Sequence, residues 1–144
     1  MKFEFSFQKI LDFKEKEKEA AKQDFGAVKL RQLELQEQIE DLELEKVKVF
    51  NQYNDVSRKT VWEILEVQNA LEHVNLQIKR LEHQFQQIHQ TVEQNHQVLI
   101  EKTKEVKMWN QWKEKSKAAF QKQIDQKEQA MLDEMAVLRY SRKI

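Results

Sequence analysis

The feature that most constrains the fold of this chain is a run of nine apolar residues spaced alternately three and four positions apart. Its members are Ile64, Val67, Leu71, Val74, Ile78, Leu81, Phe85, Ile88 and Val92. This spacing puts all nine on one stripe of a helix and is typical of a coiled-coil seam. The series continues through Asn95, Leu99, Lys102, Val106 and Trp109. Asn95 either fixes the register of the pairing or is a single tolerated polar residue.

A second seam precedes this one and is out of phase with it. Its positions are Ala21, Phe25, Val28, Gln32, Leu35, Ile39, Leu42, Lys46, Val49, Tyr53 and Val56. Followed backwards, the same register gives Lys18, Lys14, Leu11 and Phe7, so the seam weakens and then recovers. From Val56 to Ile64 is eight residues where a heptad needs seven. The two seams therefore belong to two helices, or to one helix with a stutter.

The stretch between the seams favours a turn over a stutter. Asn54, Asp55 and Ser57 compete with the backbone for hydrogen bonds. Thr60 and Glu63 have the spacing of a capping box, which marks a helix start. A lone charged helix would also have nowhere to bury either seam. We predict a turn at about residues 56–60.

The predicted fold class is therefore all-α, with two long helices forming an antiparallel coiled-coil hairpin. One coiled-coil domain covers residues 1–144, with helix 1 at about 5–55 and a longer helix 2 at about 60–140. The chain has no proline and one glycine, Gly26, which agrees with few turns. Pairing across the turn places residue i beside about residue 116 minus i. Residues from about 117 onward then form a C-terminal overhang without a partner in the chain.

Apolar residues exceed what two seams need in three places. The first is a turn patch of Val47, Phe50, Val61, Trp62 and Leu65, which either binds a partner or folds over the turn. The second is an aromatic cluster of Phe3, Phe5 and Phe7 near Trp109 and Trp112, interpreted as a plug fastening the N-terminal segment. Since three such residues cannot face one partner along a helix, some of them should point outward. The third is the overhang, with Phe120, Ile124, Met131, Met135 and Leu138, which another protein or a second copy could cover.

Composition argues against several classes of function. Lys plus Arg and Asp plus Glu both number 25, so there is no general attraction to nucleic acid, and the lysines around Trp109 are interpreted as a solvated face. No cysteine is present, and His73, His83, His89 and His96 lack metal-pair spacing. No run is long and apolar enough to insert into a membrane. We expect no enzyme, no cofactor and no metal.

Three motifs carry a family resemblance that spans nearly the whole chain. They are FEFSFQKILDFKEKEKEAAKQDF at residues 3–25, WNQWKEKSK at 109–117 and LDEMAVLRYSRK at 132–143. Together with the length and the mid-chain turn, they make the chain resemble the flagellar export protein family FliJ. The resemblance implies a component of the flagellar type III export apparatus, cytoplasmic and peripheral at the membrane, that acts as a stalk and escorts export chaperones.

The resemblance also implies partners and contact residues. An ATPase-binding tip, for the hexameric export ATPase FliI, would contain Phe5, Phe7, Leu11, Asp133, Glu134 and Met135. A region facing the export gate protein FlhA would contain Val49, Tyr53, Trp62 and Val67. We expect a monomer. The alternatives are a homo-oligomeric coiled-coil scaffold and a stalk protein of a virulence type III secretion system.

Overall fold

The computed structural model describes residues 2–55 and 60–143. It contains two helices, α1 at Gln8–Asp55 and α2 at Val61–Lys143, and no strand within those ranges. The helices pack against each other, so the prediction of an all-α helical hairpin with a longer second helix is confirmed. Of the predicted turn, residues 56–59 lie outside the described residues.

The start of α2 has the predicted capping box. The backbone N–H of Glu63 donates to Thr60 Oγ1 at 3.2 Å, and the backbone N–H of Thr60 donates to Glu63 Oε2 at 3.4 Å. These two bonds satisfy donors that the first turn of a helix otherwise leaves without a partner. Thr60 and Glu63 therefore define where the second helix begins.

The start of α1 differs from the sequence prediction. The helix begins at Gln8 rather than at about residue 5, because residues 2–5 are not helical. The Gln8 N–H donates to the Phe5 carbonyl at 3.1 Å, and the Leu11 N–H donates to the Phe7 carbonyl at 3.0 Å. A short turn therefore leads from an irregular segment into the helix.

Both predicted seams are confirmed as the buried stripes of the helices. Along residues 21–53 of α1, all ten predicted seam positions are buried or half-buried, and the residues between them are exposed. Every predicted position of the α2 seam from Ile64 to Trp109 is likewise buried or half-buried, Asn95 included. The most enclosed side chains are Leu11, at 1% exposure, and Leu35, at 2%. Burial of one stripe per helix is thus the main source of stability.

The chain divides into two compact units. The first consists of Met1–Glu19 with Ile100–Ile144, and its buried apolar residues are Phe5, Leu11 and Val106. The second is Ala20–Leu99. Its buried apolar residues are Ala21, Leu35, Ile39, Val74, Ile78 and Val92. Each unit contains a segment of both helices.

The contacts between the helices lie within about one helical turn of the predicted register. In the first unit, the residue numbers of the partners Lys14 and Glu105 add to 119. In the second unit, Gln32 with His89 gives 121. The predicted sum of about 116 is met where Phe7 contacts Trp109, and the two side-chain pairs exceed it by three and five residues.

Candidate docking surfaces

An aromatic cluster fastens the N-terminal segment to α2 within the first unit. The Phe5 ring meets Trp112 edge-on at 6.1 Å between centroids, and the Phe7 ring stacks on Trp112 at 4.9 Å. Phe7 also lies 6.0 Å from Trp109, and the two tryptophan rings are 5.2 Å apart. Aromatic pairs at these distances stabilise beyond the area that they bury. The predicted plug is confirmed.

All three N-terminal phenylalanines contact α2, and Phe7 is still 37% exposed, so the expectation that some point outward holds only in part. Phe3 packs on Phe120 at 5.5 Å between centroids. The reason is that residues 2–5 are not helical, so these side chains are not separated by the 100° steps of a helix.

The contact with Phe120 also moves the start of the overhang from about residue 117 to the residues after Phe120. Phe120 is a plug residue that the sequence analysis assigned to the overhang.

A charged network fills the weak part of the seam in the first unit. Lys102 Nζ donates to Glu17 Oε2 at 2.6 Å, and Lys14 Nζ donates to Glu105 Oε2 at 3.1 Å. Lys102 Nζ also lies 3.8 Å from Glu105 Oε2. This network was not predicted, although lysines at the seam positions 14 and 102, each three residues before a glutamate, indicated it. The seam therefore exchanges apolar packing for ion pairs here.

The network shifts two pKa values in the direction that favours both charges. The hydrogen bond from Lys102, with help from its charge and that of Lys14, lowers the pKa of Glu17. The hydrogen bond to Glu17, with the charge of Glu105, raises the pKa of Lys102. Both side chains are less than one-third exposed, at 22% for Glu17 and 29% for Lys102. The pair is therefore ionised throughout the neutral pH range.

The residues of the predicted ATPase-binding tip fall into two groups. Phe5 and Leu11 are buried against α2, and Phe7 is 37% exposed. Asp133, Glu134 and Met135 lie in a stretch of α2, residues 125–142, in which every side chain is exposed. Asp133 accepts a hydrogen bond from Gln129 of the same helix at 3.0 Å. Residues 125–142 form the C-terminal segment.

The structure does not bring these two groups together. Phe5 and Phe7 contact Trp112, and Met135 lies 23 residues further along α2. At the helical rise this is about 35 Å. The aromatic cluster and the C-terminal segment are therefore separate surfaces of the first unit.

Three of the four predicted gate-facing residues line one groove in the second unit. Val49, Tyr53 and Val67 line a shallow groove of about 310 Å³. Gln52, Glu63, Glu66 and Ala70 complete its lining. Trp62 is 78% exposed nearby in the chain. The groove has apolar sides from both helices and a carboxylate rim.

The turn patch is exposed as a whole. Its members range from 44% exposure for Leu65 to 78% for Trp62. In the described part of the chain these five side chains are not covered. An apolar, aromatic-containing surface of this kind is typical of a protein–protein contact.

The histidines and carboxylates are the remaining candidate metal ligands among the described residues. All four histidines are exposed. Gln32 Nε2 donates a hydrogen bond to His89 Nδ1 at 3.0 Å. Among residues 2–55 and 60–143, no cluster of histidine, aspartate and glutamate could hold a metal ion. Neither helix, over its described length, has a stretch long and apolar enough to cross a membrane.

Comparisons with known proteins agree with the resemblance in the terminal motifs. No curated protein and no solved structure matches the chain significantly. The family model described as "Flagellar FliJ protein" matches residues 2–144, and so covers the aromatic cluster, both seams and the C-terminal segment. The chain therefore belongs to the FliJ family and is a protein associated with flagellar export.

Proposed function

We propose that this chain is a non-catalytic stalk of the flagellar type III export apparatus that binds the export ATPase FliI and the export gate protein FlhA. The observation that carries the proposal is that each compact unit presents an exposed apolar surface, the C-terminal segment in one and the turn patch in the other. A protein with two such surfaces can hold two partners at once. The same surfaces would serve export chaperones, at the cytoplasmic side of the membrane.

In this proposal the residues of the ATPase-binding tip have two different tasks. Asp133, Glu134 and Met135 contact the ATPase, since all three are exposed. Phe5 and Leu11 are buried, and they act by fixing α1 against α2. Phe7, which is partly exposed and stacked on Trp112, belongs mainly to the second group.

The gate contact in this proposal uses the groove beside the turn patch. Val49, Tyr53 and Val67 supply its sides, and the exposed indole of Trp62 adds the large apolar area that binding hot spots require. Because both helices supply lining residues, the groove exists only while the hairpin is closed. Gate binding would thus depend on the fold of the second unit.

The test compares two variants, each of which should weaken one of the two contacts and leave the other intact. Met135→Asp should weaken stimulation of purified FliI ATPase activity, with the half-maximal concentration rising about tenfold, and leave binding to the cytoplasmic domain of FlhA unchanged. Trp62→Ala should weaken FlhA binding by a similar factor and leave ATPase stimulation unchanged. Both side chains are exposed, so neither change should disturb the fold.

The matched control is Val137→Asp, because Val137 is 67% exposed in the same segment but lies on a different face from Met135. It should behave like the unchanged protein in both assays. Absence of ATPase stimulation by the unchanged protein would overturn the proposed coupling. So would equal losses in the Met135 and Val137 variants.

A further inference from the structure

Two exposed stripes of this chain have the same spacing and complementary side chains. One has two glutamates followed by two apolar residues, and the other has two apolar residues followed by two arginines. On the outer face of α1 the stripe is Glu37, Glu40, Leu44 and Val47; in the C-terminal segment of α2 it is Leu132, Met135, Arg139 and Arg142. Each follows steps of three, four and three residues, which keeps its four side chains on one helix face. Neither stripe belongs to the buried seam.

We propose that the C-terminal stripe of one copy docks on the α1 stripe of a second copy, with the two helices antiparallel. Because the spacing reads the same in both directions, the stripes align position by position. Val47 then meets Leu132, and Leu44 meets Met135. Glu40 meets Arg139, and Glu37 meets Arg142. A parallel arrangement would instead place both charged pairs against apolar residues.

The apolar half of each stripe is available for this contact. Leu44 and Val47 are 61% and 53% exposed, and Leu132 and Met135 are 60% and 56% exposed. Within its own compact unit, each stripe therefore leaves its apolar side chains open to solvent. Burying four such side chains against one another is favourable.

The charged half selects a partner of opposite sign. Residues 34–45 contain six carboxylates and no basic residue, and residues 135–142 contain two arginines and no acidic residue. Across residues 2–55 and 60–143, neither Arg139 nor Arg142 forms an ion pair, and nor does Glu37. Arginine and carboxylate form strong charge-assisted hydrogen bonds when paired. The second copy thus supplies what each stripe lacks.

The contact is small, and so the association is weak and concentration-dependent. Four side chains per stripe bury far less than the area of a stable dimer. A monomer at low concentration is therefore compatible with self-association at high concentration. Because the C-terminal stripe and the α1 stripe differ, the contact is heterologous. Each copy can therefore contribute either of its two stripes to a contact with another copy.

A charge-swap experiment tests the pairing. The dissociation constant comes from sedimentation equilibrium over a concentration series, with a monomer mass of 17.5 kDa. E37R with E40R should raise this constant about tenfold or more, since it places like charges together. R139E with R142E should do the same, and all four changes in one chain should restore the original value within about threefold. High salt should weaken association of the unchanged protein.

The matched control is E15R with E19R, which makes the same change of net charge at two exposed positions of α1 outside the stripe. It should leave the dissociation constant unchanged, and circular dichroism should report the same helix content for all variants. A strictly monomeric protein at the highest concentration would overturn the proposal. Failure of the four-fold variant to recover, or an equal loss in the control, would overturn it as well.

Cysteine crosslinking tests the register independently. The chain has no native cysteine, so single-cysteine variants can be mixed without background. A mixture of Leu44→Cys and Met135→Cys copies should form a mixed disulfide faster than a mixture of Leu30→Cys and Met135→Cys copies. Leu30 is 58% exposed on the same helix but lies outside the stripe. Equal rates in the two mixtures would exclude the antiparallel alignment.

Discussion

Gly26 lies inside α1, at a position where the structure does not require a glycine. A Cβ atom added there would meet nothing within 4 Å, and no glycine in the described residues has a positive φ. Neither a close approach of another group nor a left-handed backbone therefore requires glycine at this position. What remains is the entropic cost of a glycine inside a helix.

Gly26→Ala should accordingly stabilise the protein by about 0.5–1 kcal/mol, which thermal unfolding followed by circular dichroism will measure. The matched control is Ala27→Gly at the exposed neighbouring position, and it should lower stability by a similar amount. A destabilising Gly26→Ala would mean that the backbone at this position is needed in another conformation.

Glu17 makes stability depend on pH in a definite direction. Its pKa in the folded protein is lowered, mainly by the hydrogen bond from Lys102. A lowered folded pKa stabilises above the pKa of the unfolded chain, and this contribution is lost as pH falls through the folded value. The unfolding temperature should therefore decrease on acidification, and the decrease should be smaller in Glu17→Gln. Glu15→Gln changes an exposed residue of the same helix. The unfolding temperature of this variant should depend on pH in the same way as that of the wild-type protein. Identical profiles in all three proteins would contradict the role of the ion pair.

At the scale of the helix, burial follows the seam closely. Leu35 is 2% exposed, and Leu33, two residues earlier on the same helix, is 61% exposed. Leu35→Ala should cost about 2–5 kcal/mol because it removes buried contacts and leaves a cavity. Leu33→Ala should stay within about 0.5 kcal/mol. Urea unfolding of the two variants will measure the difference, and similar losses would show that the seam does not carry the stability.

The sequence allowed prediction of the helices and their buried faces, because the period of the apolar residues is a property of each helix alone. The capping box at Thr60 and Glu63 was equally local. The register between helices was not predictable in this way, since it depends on how two surfaces fit. The start of α1 was missed because the aromatic contacts of Phe3 and Phe5 with α2 outweigh helix formation in residues 2–5.

The docking surfaces likewise combine features that are local to one helix with features that depend on contacts between helices. The exposure of Met135 was expected from its place in the overhang, whereas the sequence left open whether Trp62 folds over the turn. The separation of the aromatic cluster from Met135 was not expected, because the resemblance joined both ends of the chain in one tip. It took the contact of Phe7 with Trp112 to divide that tip into an anchoring group and an exposed group.

At the scale of the whole molecule, stability and surface are distributed unevenly along the chain. Every residue from Asp125 to Arg142 is exposed, so this segment adds little apolar burial. A chain ending at Gln126 should therefore unfold within about 2 °C of the full chain in a thermal melt. A chain lacking residues 2–7 should unfold at a clearly lower temperature, because it loses the aromatic contacts of Phe5 and Phe7 with Trp112. The opposite order of the two melts would contradict this assignment.

The aromatic cluster has a consequence for the way the protein is made. Phe7 is separated from Trp112 by 105 residues, so a nascent chain carries its phenylalanines without their tryptophan partners for roughly 5–20 s of synthesis. During that interval the second unit, whose segments are closer in sequence, can already pair on the ribosome. The rings of Phe5 and Phe7 then pack after the second unit has formed. Until they pack, they are an exposed apolar site that chaperones acting on nascent chains can bind.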